Sequence, residues 1–251
     1  LWHELDITNI RKLESACHNN KLAALRGFGE KSQIKILEGI RFIQSHRNQF
    51  RLGDALPVAL EWIDYLKTSK DLQRISLAGS IRRWKEVIKD IDIVASSSHP
   101  NLIMDHFLKS RGIKDVIAHG ETKTSVRLES GMQVDLRVVS DTQFPCALAY
   151  FTGSKEHNVL TRSRAQKMGL KVNEYGIFRG QKALFVKDEM AFYKKLGIAF
   201  VPPELREGNS QLLPMKGGTV DNLIGATSLR GLFHAHTTES DGTATLEQMA
   251  D

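Results

Sequence analysis

The stretch LAGSIRRWKEVIKDIDIVAS, residues 77–96, decides the fold. Residues 74–78 form a short run that is typical of a strand, and Gly79 and Ser80 then make a tight turn whose backbone can approach a ligand closely. Arg83 follows at the predicted start of a helix, where backbone N–H groups and a basic side chain together favour a phosphate. The stretch therefore predicts a strand, a phosphate-binding turn and a second strand within one unit of α and β structure.

Three acidic residues accompany this turn. Asp90 and Asp92 lie in the second strand, whose period of two places both carboxylates on one face while Ile91 and Ile93 enter the core. Asp135, in QVDLRVV, can project from a neighbouring strand toward the same point. Carboxylates this close repel one another unless a cation lies between them, and oxygen ligands without His or Cys favour Mg²⁺. The acids thus predict a two-metal site beside the phosphate pocket.

Each of these pieces is common by itself. A single Asp-x-Asp on a strand is usually an exposed pair, and Gly-Ser is usually a plain turn. In this order and spacing they resemble the nucleotidyltransferase superfamily, in which Gly-Ser is followed by Asp-x-Asp and a later single Asp. These residues alone leave the acceptor open among a nucleic acid 3′ end, a transfer RNA, an antibiotic and a protein.

The composition excludes several classes of protein. The 251 residues are 41% hydrophobic and 25% charged, and they contain no apolar run of about 20 residues, which excludes a membrane span, a collagen and a long disordered tract. The two cysteines stand far apart, which excludes a disulfide framework and a thiolate zinc site. The net charge of +6 is concentrated in residues 1–50 and 142–200. This distribution suits a protein that grips a polyanion, although a solvated basic surface has the same composition.

The hydrophobic periodicity predicts the order of the elements. It indicates helices within residues 1–50, over 53–68 and near 101–110. Short β-branched runs predict strands at residues 74–78, 91–95, 116–118, 125–128 and 134–139. We therefore expect a mixed or antiparallel sheet at the centre of the chain, with helices and short strands over 146–200 and a linker rich in Pro and Gly over 201–229.

A Gly-apolar-Gly turn lies in the amino-terminal helical region. The segment LRGFGEKSQIKIL, residues 25–37, predicts a helix that starts near Lys31. Gly27, Gly29, Lys31 and Ile36 have the spacing of a helix-hairpin-helix motif, whose unpaired N–H groups bind DNA backbone phosphates. The alternative is a simple glycine-rich connection between two helices.

A longer segment narrows the family. Residues 149–178, AYFTGSKEHNVLTRSRAQKMGLKVNEYGIF, closely resemble the thumb of family X DNA polymerases, the group that contains DNA polymerase beta. The segments GSIRR, DID and GFGEK resemble the same family, and the resemblance extends from residue 1 to about 205. It implies an α+β fold, in which a nucleotidyltransferase palm with a mixed sheet is flanked by a helical helix-hairpin-helix fingers subdomain and an α/β thumb. The implied domains are fingers 1–50, palm 51–141, thumb 142–205, linker 206–228 and a further domain start at 229–251.

The resemblance implies roles for the acids and for the nucleotide pocket. Asp90, Asp92 and Asp135 would ligate two Mg²⁺ ions, which Mn²⁺ can replace, and Asp135 would also receive the proton of the primer 3′-OH. Ser80 and Arg83 would hold the β and γ phosphates of the incoming dNTP. The full set of implied nucleotide-binding residues is Gly79, Ser80, Arg83, Lys89, Tyr150, Phe151, Gly153 and Asn158.

Within that set, Tyr150 and Phe151 would lie against the sugar, and Asn158 would contact the base edge in the minor groove. Arg162 would contact the template strand. The implied DNA-binding residues are Gly27, Gly29, Lys31, Arg137 and Arg162.

Two positions depart from the family pattern. Lys89 stands where a Gly usually precedes the first Asp, and it can narrow the pocket or add charge near the triphosphate. Gln133 stands where an Arg often precedes the third Asp by two positions, which puts the control of the pKa of Asp135 in doubt.

The segment GLFHAHTTESDG, residues 231–242, offers another set of ligands. Alternate histidines on a strand face one side and can share a metal, although an exposed His pair is the simpler explanation. The segment resembles the first motif of the polymerase and histidinol phosphatase (PHP) domain, which implies His234, His236 and Asp241 as an incomplete PHP site. Zn²⁺ or Mn²⁺ is expected only in a complete PHP domain, so this chain is expected to be truncated there and to lack nuclease activity.

The sequence therefore predicts a DNA-directed DNA polymerase that adds dNTPs to a primer 3′-OH at short gaps during repair, by a two-metal mechanism. The expected partners are gapped or primer-template DNA and dNTP. We expect a monomer in the cytoplasm, associated with the nucleoid and not with a membrane. Two alternatives stay open: a nucleotidyltransferase with a non-DNA acceptor, and a catalytically weakened DNA-end-binding module, which Lys89 and Gln133 would suggest.

Overall fold

The computed structural model describes residues 5–25, 27–45, 49–207, 223–228, 230–231, 234 and 236–250. Nine α-helices are described, and we number them in chain order: α1 Ile10–His18, α2 Glu30–Ser45, α3 Leu52–Leu66, α4 Gly79–Arg82, α5 Pro100–Leu108, α6 Phe144–Thr152, α7 Lys155–Lys167, α8 Glu189–Lys195 and α9 Leu246–Ala250. Ten strands are described: β1 Phe50–Arg51, β2 Arg74–Leu77, β3 Val87–Ile88, β4 Asp90–Ser96, β5 Ile113–His119, β6 Lys123–Leu128, β7 Gln133–Val139, β8 Lys171–Asn173, β9 Gly176–Arg179 and β10 Lys182–Leu184.

A mixed five-stranded sheet forms the centre of the molecule. Its strand order is β2-β4-β7-β6-β5. Strands β4 and β7 are parallel, and the other neighbours are antiparallel. The parallel pair needs a long crossover, and α5, β5 and β6 supply it. The predicted α+β fold with a mixed sheet is therefore confirmed.

The alternation of side chains gives the sheet two different faces. Ile91 and Ile93 of β4 and Leu136 of β7 are buried against α3 and α5 in the largest core cluster. Burial stabilises the fold by about 1.5–3 kcal/mol for each large apolar side chain. On the opposite face, Val94 and Val139 pack under α6. The amino-terminal halves of β4 and β7 on that second face carry the acidic residues.

The region after the central sheet has a core of its own. Helices α6, α7 and α8 surround an antiparallel three-stranded sheet of order β10-β9-β8. Its buried side chains include Ala165, Ile177, Phe192 and Leu196. Ser154 caps α7 through its side chain, which accepts a hydrogen bond from the backbone N–H of His157.

The amino-terminal helices pack around a small third core. Cys17 and Leu22 are buried there, beside Phe28 of the glycine turn. Gln33 of α2 is buried, and it accepts a hydrogen bond from the Ala23 N–H and donates one to Asn20 Oδ1. These bonds tie the connection between the helices to α2, which begins at Glu30, one residue before the predicted start.

Two predicted boundaries differ from the structure. Phe50 and Arg51 pair with Ile88 and Val87, so the border drawn between residues 50 and 51 falls inside β1. The linker drawn over 206–228 begins too early, because Arg206 is completely buried. Residues 208–222 of that linker lie outside the described residues. Strands of two residues, such as β1 and β3, have no periodicity from which they could be predicted.

Strand β5 is longer than predicted. The prediction covered residues 116–118, and the strand runs over Ile113–His119 at the edge of the sheet. Most of its side chains are exposed, so they lack the alternation of apolar and polar residues that marks a half-buried strand. Within the described part of the chain, no helix combines the length and the apolar character that a membrane crossing requires.

Candidate active site

The turn after β2 brings the backbone against an acidic side chain. Gly79 has a φ of +58°, and a Cβ atom placed there would lie 2.0 Å from Asp92 Oδ2. The Ala78 N–H donates to the Asp92 carbonyl at 2.8 Å, which joins the turn to β4. Only glycine satisfies both the left-handed backbone and the close approach. Ser80 follows in the first turn of α4 and lines the adjacent cavity.

The acids lie on the same face of neighbouring strands. Asp92 and Asp135 are register partners in the parallel pair β4 and β7, and Asp90 is two residues before Asp92. Burial, followed by the charges of Asp90 and Asp135, raises the pKa of Asp92 to about 7. Burial, followed by the charge of Asp135, also raises the pKa of Asp90. Two carboxylates whose charged forms are destabilised by burial and by neighbouring acids make a site that a cation would stabilise.

Two polar side chains hold Asp135. Lys123 Nζ lies 2.5 Å from Asp135 Oδ2, and Gln133 Nε2 donates to Asp135 Oδ1 at 2.8 Å. Gln133, the departure from the family pattern, thus contributes a neutral donor, and Lys123 supplies the positive charge. Lys123 was missed in the sequence. The alternation of side chains along β6 could have indicated it, because Ser125 pairs with Asp135 and Lys123 lies two residues away on the same face.

The donor set suits a hard divalent cation, since it consists of oxygen ligands alone. However, among the described residues no group of three or more His, Cys, Asp or Glu side chains is arranged to hold one ion. In the structure, Lys123 and Gln133 contact the two carboxylate oxygens of Asp135. The carboxylates therefore fit the predicted ions in their chemistry, and the arrangement of two ions between them stays a prediction.

A cavity of about 510 Å³ opens beside Asp90 and Asp92. Residues from α4, β3, β4, α6 and α7 line it: Gly79, Ser80, Arg83, Lys85, Val87, Lys89, Asp90, Asp92, Tyr150, Phe151, Gly153, Ser154, Lys155, Asn158 and Arg162. All eight predicted nucleotide-binding residues are in this lining, together with Arg162. Asp135 is not in the lining and lies behind it, next to Asp92.

Arg83 is held at one wall of the cavity. Its Nη1 donates to the Thr152 carbonyl at 2.5 Å, and its Nε donates to Glu207 Oε1 at 2.9 Å. Gly153 follows Thr152 with a φ of +70°, and a Cβ atom there would lie 3.2 Å from Arg83 Nη1. The Gly153–Ser154 peptide bond is cis. The junction of α6 and α7 therefore positions the guanidinium.

The aromatic residues of α6 form another part of the lining. Tyr150 and Phe151 meet edge to face, with 5.2 Å between ring centroids. Arg137 of β7 lies over the Phe151 ring at 4.2 Å, so this predicted DNA contact supports the wall of the cavity. Asn158 Nδ2 donates to the Tyr150 carbonyl at 2.7 Å, and Arg162 donates to the Asn158 carbonyl.

A buried ion cluster lies behind Arg83, and sequence reasoning missed it. Arg82 makes a two-pronged pair with Glu189 of α8, at 3.0 and 2.8 Å, and Arg206 Nη1 lies 2.6 Å from Glu189 Oε1. Burial by itself would raise the pKa of Glu189, but hydrogen bonds from Arg82 and the charge of Arg206 lower it. The cluster joins α4 to the region after the central sheet.

The remaining predicted site residues lie away from the cavity lining. Gly27 has a φ of +88°. Gly29 precedes α2 and Lys31 lies in its first turn, and both residues are exposed. His236 Nε2 lies 2.9 Å from His234 Nε2, and the His236 Nδ1 bonds to Asp241. Residues 232, 233 and 235 of the predicted strand lie outside the described residues. The DNA and metal roles of these two groups stay predictions.

Comparisons with known proteins give matches over the whole chain. The DNA polymerase beta thumb model matches residues 147–207. The DNA polymerase/3'-5' exonuclease PolX of Bacillus subtilis is 36% identical over 100% of this chain, which spans 44% of that protein's length. A repair DNA polymerase X of African swine fever virus is 29% identical over 53% of this chain and 82% of its own length.

A solved structure shares the fold. The crystal structure of Leishmania infantum polymerase beta in a ternary P/T complex has a TM-score of 0.57, covers 82% of this chain and 91% of its own, and is 20% identical. The identity to PolX over the whole of this chain, the thumb match and the shared fold agree with the order of motifs around the cavity. The chain is therefore similar over its whole length to a PolX DNA polymerase, and over residues 147–207 it matches the thumb of DNA polymerase beta.

Proposed function

We propose that this chain is a DNA-directed DNA polymerase that adds dNTPs to a primer 3′-OH at short gaps in DNA during repair. The observation that carries the proposal is the cavity of about 510 Å³, in which Asp90 and Asp92 face the same space as Ser80 and Arg83. Acidic residues for chemistry and basic residues for phosphates are both needed for nucleotide transfer. The names of the relatives from Bacillus subtilis and African swine fever virus support the same activity.

The lining divides into parts that suit the parts of a dNTP. Ser80 and Arg83, with Lys89 and the Gly79 backbone, would bind the triphosphate. Tyr150 and Phe151 would lie against the sugar, beside the Gly153 backbone, and Asn158 would contact the base edge. This division follows the order of the elements around the cavity, from α4 through β4 to α6 and α7.

Asp90, Asp92 and Asp135 would hold two Mg²⁺ ions, or Mn²⁺ in their place. When bound, these ions supply positive charge to the triphosphate and lower the pKa of the primer 3′-OH. Asp135 would take up the proton of that hydroxyl at Oδ2, the oxygen that contacts Lys123. Arg83 would offset the negative charge that develops on the phosphates. Because the displacement is in line, no covalent intermediate is needed.

DNA would be held by groups on both sides of the cavity. Arg162 lines the cavity on α7 and would contact the template strand, and Arg137 supports Phe151 from β7. Gly27, Gly29 and Lys31 would bind backbone phosphates through the start of α2. We propose that the protein acts on DNA as a monomer, in the cytoplasm at the nucleoid. We also propose that residues 1–50, 51–141 and 142–205 correspond to fingers, palm and thumb, with the boundary changes described for the fold.

Primer extension on DNA with a short gap tests the proposal. We expect the chain to add dNTPs with Mg²⁺, and we expect Asp92→Ala and Asp135→Ala to lower the rate by at least about a thousandfold while gel-shift affinity for gapped DNA stays within about twofold. Asp115→Ala, which removes an exposed acid from β5 of the same sheet, is the matched control and should extend like the parent chain. Full activity in Asp92→Ala would refute the site. Extension of an RNA primer in preference to DNA would favour the nucleotidyltransferase with another acceptor.

A further inference from the structure

Glu207 contacts the basic wall of the cavity from outside the acidic cluster. Its Oε1 lies 2.9 Å from Arg83 Nε and 3.8 Å from Lys85 Nζ. Arg83 and Lys85 both line the cavity. One carboxylate therefore lies beside two cations of the cavity wall, where the proposed function would place the triphosphate.

The chain around Glu207 is held in place. Arg206 is completely buried, with Nε bonded to the Val201 carbonyl at 2.8 Å and Nη1 paired with Glu189. The Arg206 carbonyl accepts a hydrogen bond from the Ser154 N–H at 3.0 Å, next to Gly153 of the cavity lining. Glu207 is thus anchored through its neighbour, and its own side chain is 39% exposed.

The contacts of Arg83 distinguish two roles for Glu207. A carboxylate beside an Arg can orient the guanidinium for a phosphate, or it can occupy the N–H groups that the phosphate needs. Arg83 has a second anchor, since Nη1 donates to the Thr152 carbonyl at 2.5 Å. This bond orients Arg83 without Glu207, and the Nε edge that Glu207 occupies is one of the edges that bind an anion through paired N–H groups.

We propose that Glu207 competes with the nucleotide triphosphate for Arg83 and Lys85, and that it thereby sets the affinity of the site for polyphosphates. On binding, the phosphates replace the Glu207 carboxylate at Arg83 Nε, and the carboxylate moves to solvent. This inference rests on the proposed function, because it takes Arg83 as the phosphate-binding residue. The competition applies to ligands that reach Arg83, so it acts on triphosphates and not on monophosphates.

The affinity of the 251-residue chain for dATP, inorganic tripolyphosphate and dAMP, measured by calorimetry with Mg²⁺ and without primer, tests the proposal. Glu207→Gln should lower the Kd for dATP and tripolyphosphate about five- to tenfold and leave the Kd for dAMP unchanged, because a negative charge close to the phosphates is removed. Glu204→Gln is the matched control: it removes the same charge from an exposed position three residues earlier and should change none of these values. In primer extension, Glu207→Gln should lower the KM for dNTP without a change in kcat.

The outcomes separate this inference from the proposed function. If the parent chain binds dATP and Arg83→Ala abolishes that binding, but Glu207→Gln binds dATP equally or more weakly, Glu207 orients Arg83 and the competition is refuted. If the parent chain shows no binding that depends on Arg83, both the competition and the proposed function are refuted. Glu207→Asp retracts the carboxylate by one methylene and should give a smaller gain of the same sign, which keeps the test decisive should the Gln variant not fold.

Discussion

Gly79 is the residue at which backbone conformation and site chemistry meet. A methyl group at this position would combine a φ of +58° with a contact of 2.0 Å to Asp92 Oδ2. We expect Gly79→Ala to lower primer extension at least about a hundredfold and to destabilise the fold by about 1–3 kcal/mol, because Asp92 has to move. Rates and urea midpoints measure the two effects.

Gly131→Ala is the control for that variant. Gly131 has a φ of +88°, and nothing lies within 4 Å of the Cβ position. It therefore carries the backbone strain without the contact, and it should keep full activity. Equal activity in both variants would show that the approach of Gly79 to Asp92 has no role in the site.

His157 makes stability depend on pH. It is 1% exposed on α7, its Nε2 lies 2.8 Å from Tyr193 Oη, and burial followed by the charge of Arg206 lowers its pKa to about 4. The unfolded chain binds this proton at about pH 6.5, so the neutral histidine stabilises the fold fully above that pH. The contribution falls as the pH drops from about 6.5 toward 4, by about 1.6 kcal/mol between pH 6.5 and 5.

Urea unfolding of the parent chain and of His157→Gln at those two pH values isolates this residue from the carboxylates that titrate in the same range. The parent chain should lose about 1.6 kcal/mol more than the variant on acidification. An equal loss in both proteins would show that His157 is protonated in the folded state.

At the scale of elements, the ion cluster around Glu189 joins α4 to α8. Glu189 is 9% exposed at its side chain, and it is paired with Arg82 and with the fully buried Arg206. Removal of its charge leaves two guanidinium groups inside the protein without their counter-ion. We expect Glu189→Gln to destabilise the chain by about 3–5 kcal/mol in urea unfolding.

Glu204→Gln, at an exposed position of the neighbouring segment, should change stability by less than about 0.5 kcal/mol. A loss below about 1 kcal/mol in Glu189→Gln would mean that water replaces the carboxylate and that the cluster contributes little to joining the two regions. The same variant should impair extension, since Arg82 precedes Arg83, the proposed phosphate-binding residue, at the end of α4.

At the scale of the whole molecule, the segment with His234, His236 and Asp241 offers at most three ligands to a metal. These side chains hydrogen-bond to one another. We expect the 251-residue chain to bind Zn²⁺ or Mn²⁺ only weakly there and to show no Mn²⁺-dependent 3′-to-5′ degradation of labelled single-stranded DNA. Stepwise shortening that disappears in His236→Ala would contradict this, and extension of gapped DNA by the same preparation is the positive control.

Much of the candidate site could be predicted because its information is local. The alternation in DIDIV places Asp90 and Asp92 on one face and Ile91 and Ile93, 0% and 1% exposed, on the other. The turn at Gly79 and the start of α2 near Lys31 likewise depend on neighbouring residues. The structure contains the predicted strands of the central sheet. Their observed ends differ from the predicted ones where exposed side chains give no alternation of apolar and polar residues, as at β5.

Local sequence patterns predicted the central sheet, the turn at Gly79 and the strand face that carries Asp90 and Asp92, since period and turn chemistry act over a few residues. The other residues that line the cavity were implied by the family resemblance. Only the tertiary structure decided which side chains meet these groups. Lys123 reaches Asp135 from the next strand, and Glu207 reaches Arg83 across 124 positions of the chain. Such contacts depend on how distant segments pack, and local sequence patterns do not determine that packing.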